Sequence, residues 1–255
     1  MTGILLSGAL GKMGAAVRKQ CESFDSLRIV AGLDIAKASD IGFPVFSSPS
    51  VIDSETLDKI DVIIDFSHPS ALAGLLEFAV RNGKPAIIAT TGLNEAQVNL
   101  IKTAATKIPV FYTANLSIGV GLLCELAKKA AKVLGNSFDI EIVEMHHNQK
   151  IDAPSGTALM LADAIAAELD GDTHFEFDRH SKREKRTKAE IGLHAVRGGT
   201  ITGEHEIIFA GHDEIIKLSH SARSKELFAT GALNAARFLA EVNEAGLYTM
   251  ADLMS

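Results

Sequence analysis

The sequence predicts an α/β chain in two parts: an N-terminal doubly wound parallel sheet, then an α+β part with a mixed or antiparallel sheet. Three observations carry this. Up to Asn115, short and almost wholly apolar segments (GILLSG, DVIIDFS, PAIIATTG) alternate with amphipathic stretches, as when crossover helices bury strands on both faces. Beyond Asn115 the strand-like segments change character, and DIEIVEM alternates apolar with acidic residues in the manner of a half-exposed strand. Turn glycines then separate IGLHAVRGG, TGEHEIIFAG and EIIKLSHSA, which read as three strands of one sheet.

The elements follow in order. Gly3 to Gly8 forms a buried strand and Lys12 to Ser23 a helix. Arg28 to Asp34 and Asp61 to Ser67 are strands, and a helix runs from Ser70 to Asn82, where Gly83 ends it. Pro85 to Gly92 is a strand, a helix begins near Asn94, and Pro109 opens the strand VFYTAN. Ile118 to Gly135 is a helix, and Asp139 to Met145 is the first strand of the second part. A helix follows with Ala158, Leu161, Ala162, Ile165, Ala166 and Leu169 on one face. The last helix spans Lys225 to Glu241, with Ala229, Ala232, Leu233, Ala236 and Ala240 available for packing. No repeat or low-complexity linker marks the boundary near Asn115, which rests on topology alone.

Composition narrows the function classes. A formal charge of −7 argues against a nucleic-acid partner. The basic cluster Arg179, Lys182, Arg183, Lys185, Arg186 and Lys188 lacks interleaved aromatics and reads as a solvated loop. Two cysteines, Cys21 and Cys124, make no disulfide framework and suggest a reducing, cytoplasmic setting. The N-terminal apolar run is too short for a secretory signal, and nowhere do eighteen apolar residues run together, so no membrane partner is expected. With no Trp and few aromatics, the core must rest on Leu, Ile, Val and Ala.

The turn GALGKMG places Gly8, Gly11 and Gly14 between the first strand and the first helix. Gly8 permits a tight turn, Gly11 lets backbone approach a pyrophosphate, and Gly14 allows close helix packing. The helix start then offers N–H groups and a positive dipole end to phosphate. The spacing GxxGxxG departs from GxGxxG; the context of strand before and helix after strengthens it. Asp34, about twenty positions further on at the end of the second strand, suits an adenosine ribose. These features describe a Rossmann-type dinucleotide site. Phe66 and Ser67, Ala89 to Gly92, and Thr113 to Leu116 lie at other carboxyl ends of strands, where small and hydroxyl residues leave room for a nicotinamide ribose.

The stretch MHHNQKIDAPSGTA carries the second set of chemical groups. A strand ending at Met145 delivers His146 and His147, imidazoles being side chains suited to proton transfer, and Lys150 adds a firm positive charge. Pro154-Ser155-Gly156-Thr157 starts a helix whose amides suit a carboxylate, with Ser155 reading first as an N-cap. Adjacent strand histidines point to opposite faces and no Cys or HxxxH partner stands nearby, so no metal is assigned. The assembly reads as a dicarboxylate site with a proton donor attached.

EMHHNQKIDAPSGTA, together with GALGKMG, ATTG, TANLSIG, VRGGTITGEH and FATGAL, closely resembles the 4-hydroxy-tetrahydrodipicolinate reductases, formerly called dihydrodipicolinate reductases. The resemblance runs along essentially the whole chain. It implies a homotetramer built from a Rossmann domain (1–116 with 226–255) and a substrate-binding and oligomerisation domain (117–225) that hinges closed. It implies NADH or NADPH as cofactor and a cyclic dicarboxylate as substrate. The implied reaction loses water, delivers hydride to C4 and protonates the resulting enamine carbon. His146 is then the proton donor, Lys150 assists, His147 binds substrate, and Gly156 and Thr157 hold a carboxylate. Gly8, Ala9, Leu10, Gly11, Lys12, Met13, Asp34, Ala89, Thr90, Thr91, Thr113, Ala114, Asn115 and Leu116 contact the nucleotide.

Three positions depart from the family pattern. Many members carry Arg after the ribose-binding acid, where this chain has Ile35; Asp34-Ile35 therefore tilts the preference towards NADH, with Lys37 the cation left to meet a 2′-phosphate. Lys225 stands where Arg is common, with Arg223 nearby, and ATTG replaces GTTG. Two rival readings share part of this evidence. Another Rossmann oxidoreductase of amino or hydroxy diacids has no need of the His146, His147, Lys150 set, and a silent nucleotide-binding regulator has no need to keep it.

Overall fold

A computed structural model describes residues 1–36 and 41–255, so Lys37 lies outside the described residues. The chain divides into two compact units, Met1–Ser117 with Glu226–Ser255, and Ile118–Lys225. The first unit opens with β1 (Thr2–Ser7), α1 (Lys12–Cys21), β2 (Leu27–Leu33), β3 (Val45–Phe46) and α2 (Ser54–Leu57). It continues with β4 (Val62–Asp65), α3 (Leu72–Arg81), β5 (Ala86–Ile88), α4 (Glu95–Ala105) and β6 (Pro109–Tyr112).

The second unit contains α5 (Ile118–Leu134), β7 (Asp139–His146), α6 (Gly156–Ala166), β8 (His174–Glu176), β9 (Glu190–Arg197), β10 (Glu204–Ala210) and β11 (Ile215–Ser221). The chain then returns to the first unit with α7 (Glu226–Leu239), β12 (Gly246–Tyr248) and α8 (Met250–Leu253).

The first sheet runs β12-β6-β5-β4-β1-β2-β3, with every pairing parallel. Its central strands are buried on both faces, which is why β1 and β4 read as unbroken apolar runs. Val17 and Cys21 of α1 and Ala229, Ala232, Leu233 and Ala236 of α7 cover one face. Leu72, Leu75, Leu76 and Ala79 of α3 and Ile101, Ala104 and Ala105 of α4 cover the other. The small residues of α7 let backbones approach closely: a Cβ at Gly231 would lie 1.7 Å from the Leu116 carbonyl oxygen.

The second sheet runs β11-β10-β7-β9-β8 and is mixed: β7 pairs antiparallel with β10 and parallel with β9. One face packs Ile140, Ile142, Ile191, Leu193, Ile207 and Phe209 against Leu123 and Ala127 of α5 and Ala158, Leu161 and Ile165 of α6. The other face carries the half-buried Glu141, Val143, Met145, Glu206 and Ile208.

Several elements are shorter than their sequence pattern or absent from it. The strand expected over Pro85–Gly92 contracts to Ala86–Ile88, and the helix expected from Ser70 starts at Leu72 behind a 3₁₀ turn over Pro69–Ala71. β3, α2, β8, β12 and α8 span two to four residues each, below the length at which periodicity speaks.

Gly231→Ala is expected to cost about 1–3 kcal/mol, because the added methyl meets a fixed backbone oxygen. Gly74→Ala in α3, where a Cβ meets nothing within 4 Å, should be neutral or stabilising by up to about 1 kcal/mol. Urea unfolding of both variants checks this; equal stabilities would contradict the packing described.

Candidate active site

Alternation along β7 puts Ile140, Ile142 and Glu144 on the core-facing side of the second sheet, with His146 next on that side. The sheet register sets their neighbours. His205 of β10 stands opposite Glu144, and Arg197 of β9 stands opposite His146. Above them, the loop after β7 ends in Ser155, the N-cap of α6, whose hydroxyl accepts from the Ala158 N–H at 3.2 Å. Where the aliphatic core of this unit stops, a polar cluster begins.

Glu144 is the centre of that cluster and is fully buried. Its Oε2 accepts from Arg197 Nη1 at 2.8 Å and lies 2.6 Å from His146 Nδ1, while its Oε1 accepts from Arg197 Nη2 at 2.7 Å and the Ser155 N–H at 3.0 Å. Burial alone would raise the Glu144 carboxyl, yet Arg197, His146 and the Ser155 amide together hold it below its ordinary value. Arg197 Nη2 also donates to the Asp152 carbonyl at 2.7 Å, fixing the loop between β7 and α6.

His205 lies beside this group, its ring 5.3 Å from that of His146 and its Nε2 3.1 Å from the Ser155 hydroxyl. Burial, reinforced by the charge of His146, pushes His205 down to about 4. A Cβ at Gly203 would lie 3.0 Å from His146 Nε2, so a glycine keeps space beside that nitrogen.

The remaining predicted substrate residues surround the loop. His147 follows the end of β7, with a buried Nδ1 that has no hydrogen-bond partner among the described residues. Lys150 pairs with Asp152 at 2.8 Å, and that hydrogen bond holds the Asp152 carboxyl below its usual range. Gly156 and Thr157 form the first turn of α6, and a Cβ at Gly156 would meet nothing within 4 Å.

In the first unit, Gly8 adopts φ +76°, and a Cβ there would lie 2.5 Å from the Phe66 carbonyl oxygen. Gly14 packs so close that a Cβ would fall 2.2 Å from the Gly8 oxygen, whereas one at Gly11 would find, among the described residues, only that oxygen, at 3.4 Å. The turn is thus tight where it supports the helix and open at Gly11. The start of α1 has no side-chain cap and no acidic residue in its first turn, unlike α4, which carries a full Asn94–Gln97 capping box. Lys12 and Met13 follow Gly11 into that first turn.

Asp34 sits at the end of β2, accepting from the Leu10 N–H at 2.9 Å and the Ala36 N–H at 3.0 Å, so it braces the glycine turn. Ile35 beside it is 97% exposed.

Not every predicted nucleotide residue presents its side chain. Ala9, Thr90 and Leu116 are buried. The hydroxyls of Ser67 and Thr90 donate to the buried Asp65 at 2.5 and 2.7 Å, and the Ala89 N–H donates to the Asp65 carbonyl at 2.9 Å. What these positions supply is a fixed backbone at the strand ends, not free hydroxyls. Thr91 and Ala114 are exposed. Thr113 and Asn115 close a turn on each other, the Asn115 N–H reaching the Thr113 hydroxyl at 3.4 Å.

The basic cluster lies in an irregular, largely exposed loop, as expected, and four of its cations are paired. Arg179 pairs with Glu190 and Lys182 with Glu176, Arg186 reaches Asp139 at 2.5 Å and Glu141 at 3.3 Å, and Lys188 reaches Asp139 at 2.9 Å. Asp139 and Glu141 of β7 lie far back in the sequence, whereas Glu176 and Glu190 stand 6 and 11 residues from the cations they neutralise.

Sequence reasoning did not single out Glu144, Arg197, Gly203 or His205. One signal was present: Glu144 is the carboxylate that falls in the buried phase of β7, where Ile140 and Ile142 precede it.

The His205 shift has a consequence for stability. In the unfolded chain the ring gains its proton near 6.5, whereas the folded protein keeps it neutral to about 4. The unfolded state therefore binds more protons across that window, and stability falls as pH drops through it, by about 3 kcal/mol at most. His205→Gln should lose less Tm than the parent between pH 7 and pH 4.5; an equal loss would contradict the buried neutral ring.

Comparison with known proteins completes the description. The N-terminal pattern of dihydrodipicolinate reductase matches residues 2–116, and its C-terminal pattern matches residues 119–254. The 4-hydroxy-tetrahydrodipicolinate reductase of Caldanaerobacter subterraneus subsp. tengcongensis is 47% identical over 254 residues, covering 100% of this chain and 98% of that protein. The protein of the same name from Clostridium novyi is 45% identical over the same shares. Among solved structures, the dipicolinate-bound dihydrodipicolinate reductase from Paenisporosarcina sp. TG-14 aligns with a TM-score of 0.78 and 26% identity, covering 98% of this chain and 97% of that one. The chain belongs to the dihydrodipicolinate reductase family.

Proposed function

We propose that this protein is the NAD(P)H-dependent reductase that converts 4-hydroxy-tetrahydrodipicolinate to tetrahydrodipicolinate, with release of water, on the diaminopimelate route to lysine. Relatives of that name match over the full chain. The observation that carries the reading is the end of β7: an imidazole braced by a buried carboxylate, beside a helix start whose first turn is Gly156-Thr157.

The substrate is a cyclic imine with a carboxylate on each side of the ring nitrogen. The cationic Lys150, the His147 ring with its N–H donor, and the amides of Gly156 and Thr157 suit those carboxylates. A planar analogue with the same two carboxylates, dipicolinate, is bound by the Paenisporosarcina relative. His146 gives a proton to the enamine carbon adjacent to the carbon that is reduced. Lys150, held by Asp152 before substrate arrives, exchanges that carboxylate for one of the substrate's and steadies the ring.

Residues 1–116 with 226–255 are the dinucleotide-binding domain of this reading, and residues 117–225 the substrate-binding and oligomerisation domain. Two features support a pyrophosphate at the glycine turn: the α1 start has no side-chain cap over its amides, and the backbone at Gly11 is open, with a Cβ there in no more than ordinary contact with the Gly8 oxygen at 3.4 Å. A bound nicotinamide supplies the hydride for the ring carbon that has lost its hydroxyl. Asp34 with the apolar Ile35 favours a free ribose diol over a 2′-phosphate, hence NADH over NADPH.

The second sheet's outer face, with Val143, Met145 and Ile208 among charged residues, suits contact with further copies in a homotetramer. Free cysteines accord with a cytoplasmic location. Among the described residues, no helix is long and apolar enough to cross a membrane.

A coupled assay, with the upstream synthase generating substrate from aspartate semialdehyde and pyruvate, tests the activity. Oxidation of NADH with a higher kcat/KM than NADPH is expected. His146→Gln should lower kcat by about 10²–10⁴-fold while NADH binding persists. No oxidation with either cofactor overturns the activity, undiminished turnover by the variant overturns the donor, and a strong NADPH preference overturns the role of Asp34-Ile35.

A further inference from the structure

The hydrogen-bond inventory of Glu144 constrains its neighbour more tightly than proximity alone. A carboxylate only accepts, and its two oxygens offer about four lone-pair directions. Three of its four partners are obligate donors, namely two guanidinium N–H groups of Arg197 and the Ser155 amide. With Arg197 supplying the matching charge in a two-pronged contact, the carboxyl stays ionised. The fourth partner, His146 Nδ1 at 2.6 Å, must then be a donor as well. A ring whose Nδ1 proton is retained can give up and regain a proton only at Nε2.

The surroundings of Nε2 agree. That nitrogen lies beside Gly203, where a Cβ would come within 3.0 Å, so the position is kept clear by the absence of a side chain. The neighbouring ring, His205, is engaged through its Nε2 with the Ser155 hydroxyl at 3.1 Å, and it lines the cluster without occupying Glu144. Glu144 is fully buried and the His146 side chain is 12% exposed, so the carboxylate does not meet substrate itself and bears on it through the groups it holds, His146 among them.

We propose that Glu144 is a positioning residue: it keeps the Nδ1 proton on His146 and sets the ring plane, so that the imidazolium delivers its Nε2 proton to substrate, is left as the neutral Nδ1–H ring and regains a proton at Nε2 from solvent, with Arg197 locking Glu144. This rests on the reading of His146 as the donor. A purely structural role, in which Glu144 and Arg197 tie β7, β9 and the α6 start together, places no demand on the state of the imidazole. The two roles therefore part at the ring.

The decisive measurement is made on the full-length parent protein with ¹⁵N-labelled histidines, at a pH where the imidazole is neutral. The His146 signals are assigned by their loss in His146→Asn. Long-range ¹H–¹⁵N correlations should show Nδ1 protonated and Nε2 unprotonated. In Glu144→Gln the ring should move towards the mixture, rich in Nε2–H, of a free histidine. Its kcat should fall by about 30-fold or more with substrate KM within about 3-fold.

An Nε2–H tautomer in the parent protein overturns the proposal, and so does a Glu144→Gln enzyme with parental kcat. If Glu144→Gln fails to fold, the parent spectrum still decides. Absence of turnover by the parent protein would overturn the assigned activity while leaving the tautomer result standing, so the two failures are told apart.

Discussion

A fully buried carboxylate, Glu144, is the constraint on which the second unit is built. An ionised group removed from water costs several kcal/mol unless each lone pair finds a donor in good geometry. The four donors come from β7 itself, from β9 and from the amide at the N-cap of α6, so the charge is satisfied only when these three segments are in register. Removing one partner of such a pair typically costs about 3–5 kcal/mol. Folding of this unit and assembly of the imidazole with its carboxylate are therefore one event. The aliphatic core of Ile142, Leu161, Ile207 and Phe209 supplies the burial that makes the polar node expensive to open.

The first unit solves a different problem by leaving a need unmet. The α1 start lacks a side-chain cap, and its glycines pack against backbone at Gly8 and Gly14 while staying open at Gly11. Asp34 braces the turn through the Leu10 amide, so one residue both shapes the loop and places a carboxylate at the strand end. The buried Asp65 does similar work for the neighbouring strand ends, drawing in the Ser67 and Thr90 hydroxyls. In both units a buried or half-buried carboxylate organises the backbone from which binding groups project.

The fold was legible wherever a period was long enough to see. The parallel sheet followed from apolar runs such as Val62–Asp65 flanked by helices, and the mixed sheet from alternation in Asp139–Met145. Two-residue β3 and three-residue β8 and β12 exist because neighbouring strands complete them, which no local window records. The polar residues that meet substrate in the proposed reaction stood out because histidines, a lysine and a helix start crowd into a short segment. Their supports did not. Arg197 and His205 are adjacent to Glu144 and His146 only through sheet register, and Gly203 matters only for the side chain it lacks. The basic cluster forms the exposed loop its composition suggested, but the pairing of Arg186 with Asp139 and Glu141 was not legible, since those carboxylates lie far back in the chain.

The ionisation of Glu144 is the most direct point of attack on this account. It is read from the ¹³C shift of its side-chain carboxyl, assigned by comparison with Glu144→Gln, in the parent protein titrated downward from pH 7. A shift that stays at the carboxylate position until the pH is below the range where exposed glutamates protonate is the expected result. Protonation within that range would contradict the hold of Arg197, His146 and the Ser155 amide on the charge, and a carboxyl already protonated at pH 7 would leave the arrangement of His146 described above with no charge to hold it.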